Sequence, residues 1–203
     1  MCLIDRERFD LIRRAHGSYA SWAVWAPPTL GAKSNTGDLS ILDVESNPAI
    51  LSVLNGGVIM VGLNISRTFA EPLRNFHDSD PKANDFKLRY AFTGTPYYGA
   101  YMTDIIKDFP MVDSGELLRH LRADPSLTQA NVAMLRQELR DLGCPRPTIL
   151  AFGHAAYSLL GDQLSPDEYA SLFRLTHYSH RIGKERYRKT VLAQVGAQES
   201  RGN

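Results

Sequence analysis

The sequence has little cysteine and no long apolar run, and both facts exclude classes of protein. Cys2 and Cys144 are the only cysteines in 203 residues. They are too few for a disulfide framework, or for the roughly four ligands of an all-cysteine zinc or iron–sulfur site. No stretch approaches the roughly 18 apolar residues of a membrane span, and residues 1–8 mix acids and bases, unlike a signal peptide. We expect a reducing, cytoplasmic setting and no membrane partner.

The chain also lacks an excess of charge of either sign and the common signatures of catalysis. Its formal net charge is +1, so any binding of nucleic acid must come from a local basic patch. The sequence contains no GxxxxGK[ST] phosphate loop, no GxGxxG, no GxSxG, no HExxH and no CxxC. The simplest nucleotide-binding, serine-hydrolase and zinc-protease functions are therefore excluded.

Apolar runs alternate with amphipathic segments along the chain. The apolar runs predict strands over 58–63, 97–106 and 148–152, and a last strand that ends near His177. The amphipathic segments predict helices over 5–15, 85–92, 126–142 and 155–160. The stretch Ser165-Pro166-Asp167-Glu168 is typical of a helix start, and residues 66–85 are expected to form a long loop.

This alternation favours an α/β fold with three layers, α/β/α, around a mainly parallel four-stranded sheet. We expect a single domain over residues 1–203. Within it, residues 1–55 are expected to form a helical and loop appendage, and residues 198–203 a frayed tail.

Polar residues follow two of the apolar runs. Asn64 ends the run Val58–Leu63, and His177 ends the last predicted strand. Ligands of open α/β sheets bind outside the carboxyl ends of the strands. Asn64 and His177 are therefore expected to meet over one site, although they are far apart in the sequence.

Four segments together resemble the uracil-DNA glycosylase superfamily. Gly62-Leu63-Asn64 is similar to its first motif, Gly-x-Asp/Asn before a Pro-containing loop. His177-Tyr178-Ser179-His180-Arg181 is similar to its second motif, His-Pro-Ser followed by a wedge residue. Tyr101–Asp104 matches the strand that presents a base-reading Asn, and Ile149–Ala155 matches a strand–Gly–x–Ala turn. The resemblance covers about Val58 to Leu192.

The resemblance implies a DNA glycosylase that hydrolyses the N-glycosidic bond of a flipped uracil or another deaminated or damaged base, and it makes this the favoured function. Asn64 would position water against the sugar, and His177 would donate a hydrogen bond to the departing base. The expected partner is single-stranded DNA or damaged duplex, and the mechanism requires no metal or organic cofactor.

Further residues are candidate DNA contacts. The resemblance supplies Gly62, Asp104, Ser179 and Arg181, whereas Phe76 and Tyr98 are aromatic residues near the first loop, and Lys184 and Arg186 belong to a local basic run. The base would contact Gly62, Asp104 and the rings of Phe76 and Tyr98. The DNA backbone would be held by Ser179 and by three residues of the basic run at 181–189. These are the wedge residue Arg181, Lys184 and Arg186.

Three positions depart from the family pattern. Ile65 and Tyr178 stand where prolines are usual, and Asp104 replaces the base-reading Asn. An Asn amide offers a donor and an acceptor, whereas an ionised Asp offers acceptors only and favours a base edge that carries donors. A buried, protonated Asp104 would instead mimic the amide.

Other interpretations of these residues remain open. The chain could be a non-catalytic nucleic-acid or nucleotide-binding module on the same fold, or an unrelated small-molecule hydrolase that uses His177 and Asp104. Asp104 could instead pair with Lys107, and the basic run could be a solvated helix face. His77, in a loop with Asp78 and Asp80, raises the possibility of a metal site, which the irregular spacing does not favour.

Overall fold

A five-stranded sheet forms the centre of the structure. The structure is a computed structural model and describes residues 2–107 and 109–202. The strands are β1 (Ser21–Trp22), β2 (Asn55–Asn64), β3 (Ala100–Ile106), β4 (Thr148–Phe152) and β5 (Ser171–Leu175). The described residues also form six α-helices, so the protein is of the mixed α/β class. The helices are α1 (Arg6–Ala15), α2 (Asp85–Phe92), α3 (Ser114–Ala123), α4 (Pro125–Leu142), α5 (His154–Gln163) and α6 (Lys184–Gly202).

The strand order is β1-β3-β2-β4-β5. Strands β2 to β5 pair in parallel, whereas β1 pairs antiparallel with β3 through Ser21 opposite Met102 and Trp22 opposite Tyr101. The prediction of a mainly parallel sheet is confirmed, but the predicted number of four strands is wrong. A two-residue edge strand is too short to leave an alternating pattern in the sequence.

Helix α4 shows why its sequence predicts a helix so well. Asp124 caps its first turn by accepting a hydrogen bond from the Ser126 N–H, and Pro125 occupies the first position, where no N–H is needed. Gly143 ends the helix in the left-handed region, with φ +65. Helix α3 was not predicted; it begins after Asp113, whose carboxylate accepts from Gly115 and Glu116.

The predicted helix start at Ser165 is wrong. Residues 166–168 form a turn, and β5 begins at Ser171. Glu168 accepts from the Ser165 N–H, as in a helical capping box, and it also pairs with Arg136 at 2.7 Å. The helix does not continue because the Ala170 N–H donates to Pro147 O, which brings the chain into register with β4.

Apolar residues cover both faces of the sheet. Ile59 and Val61 of β2 belong to one buried cluster with residues of α1, α3, α4 and α5. Met60 belongs to a second cluster with residues of α2 and α6. Successive residues of a strand point to opposite faces, so the parallel strands are buried on both sides.

Segments within residues 2–55 contribute to the core. Phe9, Ile12 and Trp22 are fully buried in the first cluster, and β1 extends the sheet. A disulfide joins Cys2 to Cys144, with 6.0 Å between their Cα atoms, and fastens the N-terminus to the end of α4. The two cysteines are thus paired with each other. The reducing, cytoplasmic setting stays a prediction, although disulfides persist mainly in oxidising compartments.

The C-terminal helix α6 is helical as far as Gly202. The predicted fraying of residues 198–203 stays a prediction, and Asn203 lies outside the described residues. None of the helices in residues 2–107 and 109–202 is long and apolar enough to cross a membrane.

Candidate active site

A cleft of about 530 Å³ opens at the carboxyl ends of the parallel strands. Asn64, Asp104 and His177 all line it, so the structure brings together the three residues that were predicted to share a site. The walls come from the loop after β2, the start of α2, the loop before α3, the β4–α5 turn and the loop after β5. Among the other lining residues are Ser66, Asn75, Asp78, Asp85, Phe152, Gly153, His154, Tyr178 and Ser179.

Asn64 is held in one orientation. Its Nδ2 atom donates to the carbonyl oxygens of Ile65 at 2.8 Å and Met111 at 2.7 Å. Both hydrogens of the amide are therefore used, which assigns the oxygen and nitrogen positions. No hydrogen bond from a described residue reaches its Oδ1 atom, which is left as an acceptor for water or ligand.

His177 is a neutral imidazole whose tautomer is set by Ser179. The backbone N–H of Ser179 donates to Nδ1 at 3.1 Å, and the Ser179 Oγ lies 2.8 Å from the same atom. Because Nδ1 accepts, the ring hydrogen is on Nε2. Burial lowers the pKa of His177 to about 4, so the ring is uncharged near neutral pH. The side chain thus brings one N–H donor to the cleft.

The loop that carries His177 is fastened to both neighbouring helices. Lys87 of α2 donates through Nζ to the carbonyl oxygen of His180 at 2.9 Å. Gln194 of α6 accepts from the Thr176 N–H at 2.8 Å and donates to the Thr176 hydroxyl at 3.1 Å. The imidazole also stacks on Tyr178, with ring centroids 4.4 Å apart. These contacts fix the imidazole without a proline at position 178.

Asp104 is a buried carboxyl group at the base of the cleft, with 4% of its surface exposed. Its Oδ2 atom accepts from Asn75 Nδ2 at 2.8 Å. Burial raises the pKa of Asp104 to about 7, against the opposing effects of the Asn75 hydrogen bond and the charge of Lys107. Asp104 therefore changes between its protonated and ionised forms near neutral pH.

Lys107 contacts Asp104 through the backbone. Its ammonium group donates to the carbonyl oxygen of Asp104, and it forms a fully buried ion pair with Glu138 at 2.7 Å. The alternative in which Lys107 neutralises the Asp104 side chain is not what the structure shows. The Asp104 carboxyl group is left to the cleft and to Asn75.

Asn75 is a functional candidate that sequence reasoning missed. Besides Asp104, its Nδ2 atom donates to the carbonyl oxygen of Tyr19 at 2.7 Å, and its Oδ1 atom accepts from the Phe76 N–H at 3.1 Å. The only signal in the sequence is its position in the long loop that follows Asn64. Nothing in that loop distinguishes Asn75 from its polar neighbours.

Asp85 and Asp78 were also missed as cleft residues. Asp85 is 7% exposed, and burial raises its pKa to about 7; its Oδ2 atom accepts from the Asp78 N–H at 2.8 Å. The Asp78 side chain pairs with Arg67. With Asp104, these residues make the cleft rich in hydrogen-bond acceptors.

The two aromatic residues predicted to stack on a base have different positions. Phe76 is 2% exposed and lies beneath the cleft, where its edge packs on Tyr178 at a centroid distance of 6.4 Å. Tyr98 does not line the cleft. It lies in the turn before β3, at the amino end of that strand, whereas the cleft lies at the carboxyl ends of the parallel strands.

The residues predicted to bind the DNA backbone are only partly in the cleft. Ser179 lines it, while Arg181 and Arg186 are exposed outside it. Lys184 pairs with Glu185 and lies 4.4 Å from the ring centroid of Tyr90.

Two further histidines belong to the segments that form the walls of the cleft. His77 is fully buried, with Nε2 2.8 Å from the carbonyl oxygen of Val24 and Nδ1 3.0 Å from that of Asn75. His154 is exposed at the start of α5 and lines the cleft. Within the described parts of the chain, no group of three or more His, Cys, Asp and Glu side chains is arranged to hold a metal ion.

Comparison of the chain with protein-family models, with curated proteins and with solved structures finds no match.

Proposed function

We propose that the protein is a DNA glycosylase that cleaves the N-glycosidic bond of a flipped base in the cleft. The observation that carries the proposal is the meeting of Asn64, Asp104 and His177 at one cleft, on three different parallel strands or the loops that follow them. The resemblance to the uracil-DNA glycosylase superfamily rests on these same residues. An α/β/α layering like that of the superfamily is part of the proposal, and the two buried clusters on the sheet faces support it.

The reaction uses one donor and one acceptor. As the bond between sugar C1′ and base nitrogen breaks, the electron pair leaves with the base, and negative charge collects on a base oxygen. The Nε2–H of His177 stabilises that oxygen by a hydrogen bond. A water molecule that donates a hydrogen bond to Asn64 Oδ1 forms the new bond to C1′, and the water passes a proton to the departing base.

A neutral histidine suits this role. A cationic imidazolium would transfer its proton readily, whereas a neutral ring donates a hydrogen bond that strengthens as charge develops on the base. The tautomer fixed by Ser179 supplies that donor without reorganisation during the reaction.

Asp104 selects the base edge according to its protonation. The protonated carboxyl group offers a donor and an acceptor, as an amide does, and accommodates a base carbonyl next to an N–H. The ionised carboxylate repels a base carbonyl and favours an edge with an amino group. With a pKa of about 7, Asp104 presents both forms near neutral pH.

A base-excision assay tests the proposal. Single-stranded and duplex oligonucleotides that contain uracil, hypoxanthine, xanthine or mismatched thymine are incubated with the protein, and abasic sites are detected by alkaline cleavage. We expect abasic product with at least one base, and its loss in His177→Ala with the fold retained. Binding to these oligonucleotides without any abasic product would instead favour the non-catalytic binding module.

A further inference from the structure

A second concave surface lies between α2 and α6, outside the proposed active site. This α2–α6 groove has a volume of about 580 Å³, and its lining includes Phe86, Arg89, Tyr90, Lys184 and Arg188. Phe86 and Tyr90 are four residues apart on α2, so their rings lie on one face of the helix. Tyr90 is 38% exposed, a large value for an aromatic ring.

The ring faces in this groove are accessible to a ligand. The Lys184 ammonium lies 4.4 Å from the centroid of Tyr90, and the Lys33 ammonium lies 5.1 Å from that of Phe86. Tyr90 is exposed and Phe86 is partly exposed, so the core does not enclose either ring. Both lysines are on flexible side chains, and an aromatic ligand can replace them on the rings.

The described residues pair no carboxylate with the two arginines of the groove, which therefore keep their positive charge. The Arg89 guanidinium donates to the carbonyl oxygens of Ala26 and Ala32, both at 2.7 Å. The Arg188 guanidinium donates to three carbonyl oxygens at the end of α2, those of Tyr90, Ala91 and Thr93, at 2.7 to 3.0 Å. Hydrogen bonds to carbonyls hold these side chains in place and leave their charge intact. Among the described residues, Glu185 is the one carboxylate paired with a cation of the groove.

We propose that the α2–α6 groove binds single-stranded nucleic acid, with an unpaired base stacked on Tyr90 or Phe86 and phosphates near Lys184 and Arg188. Stacking on aromatic rings combined with basic side chains is the general mode of single-strand binding. A duplex keeps its bases inside the helix and cannot present them to these rings. The choice of nucleic acid as the ligand rests on the proposed function. The inference adds a preference for unpaired strands.

The groove and the active-site cleft are built on the same two segments of the chain. Asp85 lines the cleft, and the next residue, Phe86, lines the groove. Likewise, His177 and Ser179 line the cleft, and Lys184, which comes later in the same segment, lines the groove. The Lys87–His180 hydrogen bond ties the two segments together. One strand can therefore contact both sites in succession.

Fluorescence anisotropy with a labelled oligothymidylate tests the groove. Tyr90→Ala should weaken binding about 5- to 150-fold, the range expected for one stacked base. Tyr90→Phe keeps the ring and should bind within about twofold of wild type. Phe86→Leu keeps apolar volume without an aromatic ring and should also weaken binding. Thermal unfolding of each variant establishes that the fold is kept.

Two comparisons separate stacking from general charge attraction. An oligonucleotide of abasic sugars keeps the phosphates and should bind wild type and Tyr90→Ala equally. Lys184→Gln should weaken binding more than Lys189→Gln, which removes an exposed charge outside the groove. Equal losses in the two lysine variants, or binding of oligothymidylate that neither Tyr90→Ala nor Phe86→Leu weakens, would overturn the proposal.

The binding experiment is independent of catalysis, because it needs no base to be excised. Binding that depends on Tyr90, in a protein that excises no base, would overturn the proposed function alone. Base excision by a protein whose binding of oligothymidylate is unchanged by substitution of Tyr90 or Phe86 would overturn the groove proposal alone.

Discussion

The side chain of Asp104 occupies the space that a side chain at Gly62 would need. The two residues are register partners on β2 and β3, and a Cβ atom added at Gly62 would lie 2.1 Å from Asp104 Oδ1. Glycine at position 62 is therefore what lets a carboxyl group lie across the end of β2. The segment Gly62-Leu63-Asn64 contributes to the candidate site in two ways. It ends with Asn64, and its glycine leaves space for the side chain of Asp104.

Substitution of Gly62 should act through Asp104. We expect Gly62→Ala to displace the Asp104 carboxyl group and to lower the free energy of unfolding by about 1 to 3 kcal/mol, measured by urea denaturation. In an Asp104→Ala background, the same substitution should cost much less. Gly161→Ala on α5, where the nearest atom is 4.0 Å away, is the matched control and should not destabilise. Equal costs in the two backgrounds would contradict the steric relationship.

The protonation of Asp104 should control the excision of a carbonyl-bearing base. Because the pKa of Asp104 is about 7, the single-turnover rate on uracil should fall as the pH rises above about 7, up to about tenfold per pH unit. Asp104→Asn presents an amide at every pH and should flatten the profile. Asp85→Asn removes a second carboxyl group of the same cleft with a raised pKa and should leave the fall in place. A profile unchanged by Asp104→Asn would exclude this residue as the base reader.

His177 should stay uncharged through the physiological range. The pKa of His177 is lowered to about 4, so its imidazole carbon and nitrogen NMR shifts should remain those of the neutral Nε2–H tautomer from pH 5 to 8. Replacement of Ser179 by proline removes the N–H that donates to Nδ1 and should release the tautomer preference. Titration of His177 with a midpoint near 6.5 would contradict the assigned state.

Asp85 should make the protein less stable as the pH rises. The folded protein holds a proton on Asp85 up to about pH 7, whereas the unfolded chain loses it near pH 3.8. Between these values the unfolded state binds fewer protons, so Asp85 lowers the free energy of unfolding by about 1.4 kcal/mol per pH unit. Asp85→Asn should therefore stabilise the protein more at pH 8 than at pH 5 in urea denaturation. The exposed Asp162→Asn control should show no such difference.

The parts of the fold that sequence patterns predicted are those with a strong local signal. Strand β4 and helix α4 have a clear apolar run or apolar stripe and capping residues, and their bounds agree with the prediction. Strand β1 has two residues, and it exists only because β3 offers an edge to pair with. The capping pattern at Ser165 is locally satisfied, but pairing with β4 overrides it. Local signals cannot report these long-range pairings.

The residues of the candidate site also divide into those that the sequence could predict and those that it could not. Asn64 and His177 were predictable because residues that end or follow parallel strands meet at one edge of the sheet, whereas Asp104, two residues before the end of β3, was expected from the resemblance. Asn75 and Asp85 reach the cleft through a long loop whose course depends on tertiary contacts, such as the Asn75 bond to Tyr19. Tyr98 precedes β3 and so lies at the edge of the sheet opposite the cleft.

The most direct measurement is single-turnover formation of abasic sites by wild type, Asn64→Ala and His177→Ala, on whichever oligonucleotide the wild type cleaves fastest. The account predicts cleavage by wild type and a loss of about 100- to 1,000-fold in His177→Ala, the usual effect of removing one transition-state donor. Asn64→Ala should also be slowed, with binding to the oligonucleotide unchanged in both variants. Cleavage that survives both substitutions at the wild-type rate, or no cleavage by the wild-type protein, would contradict the account.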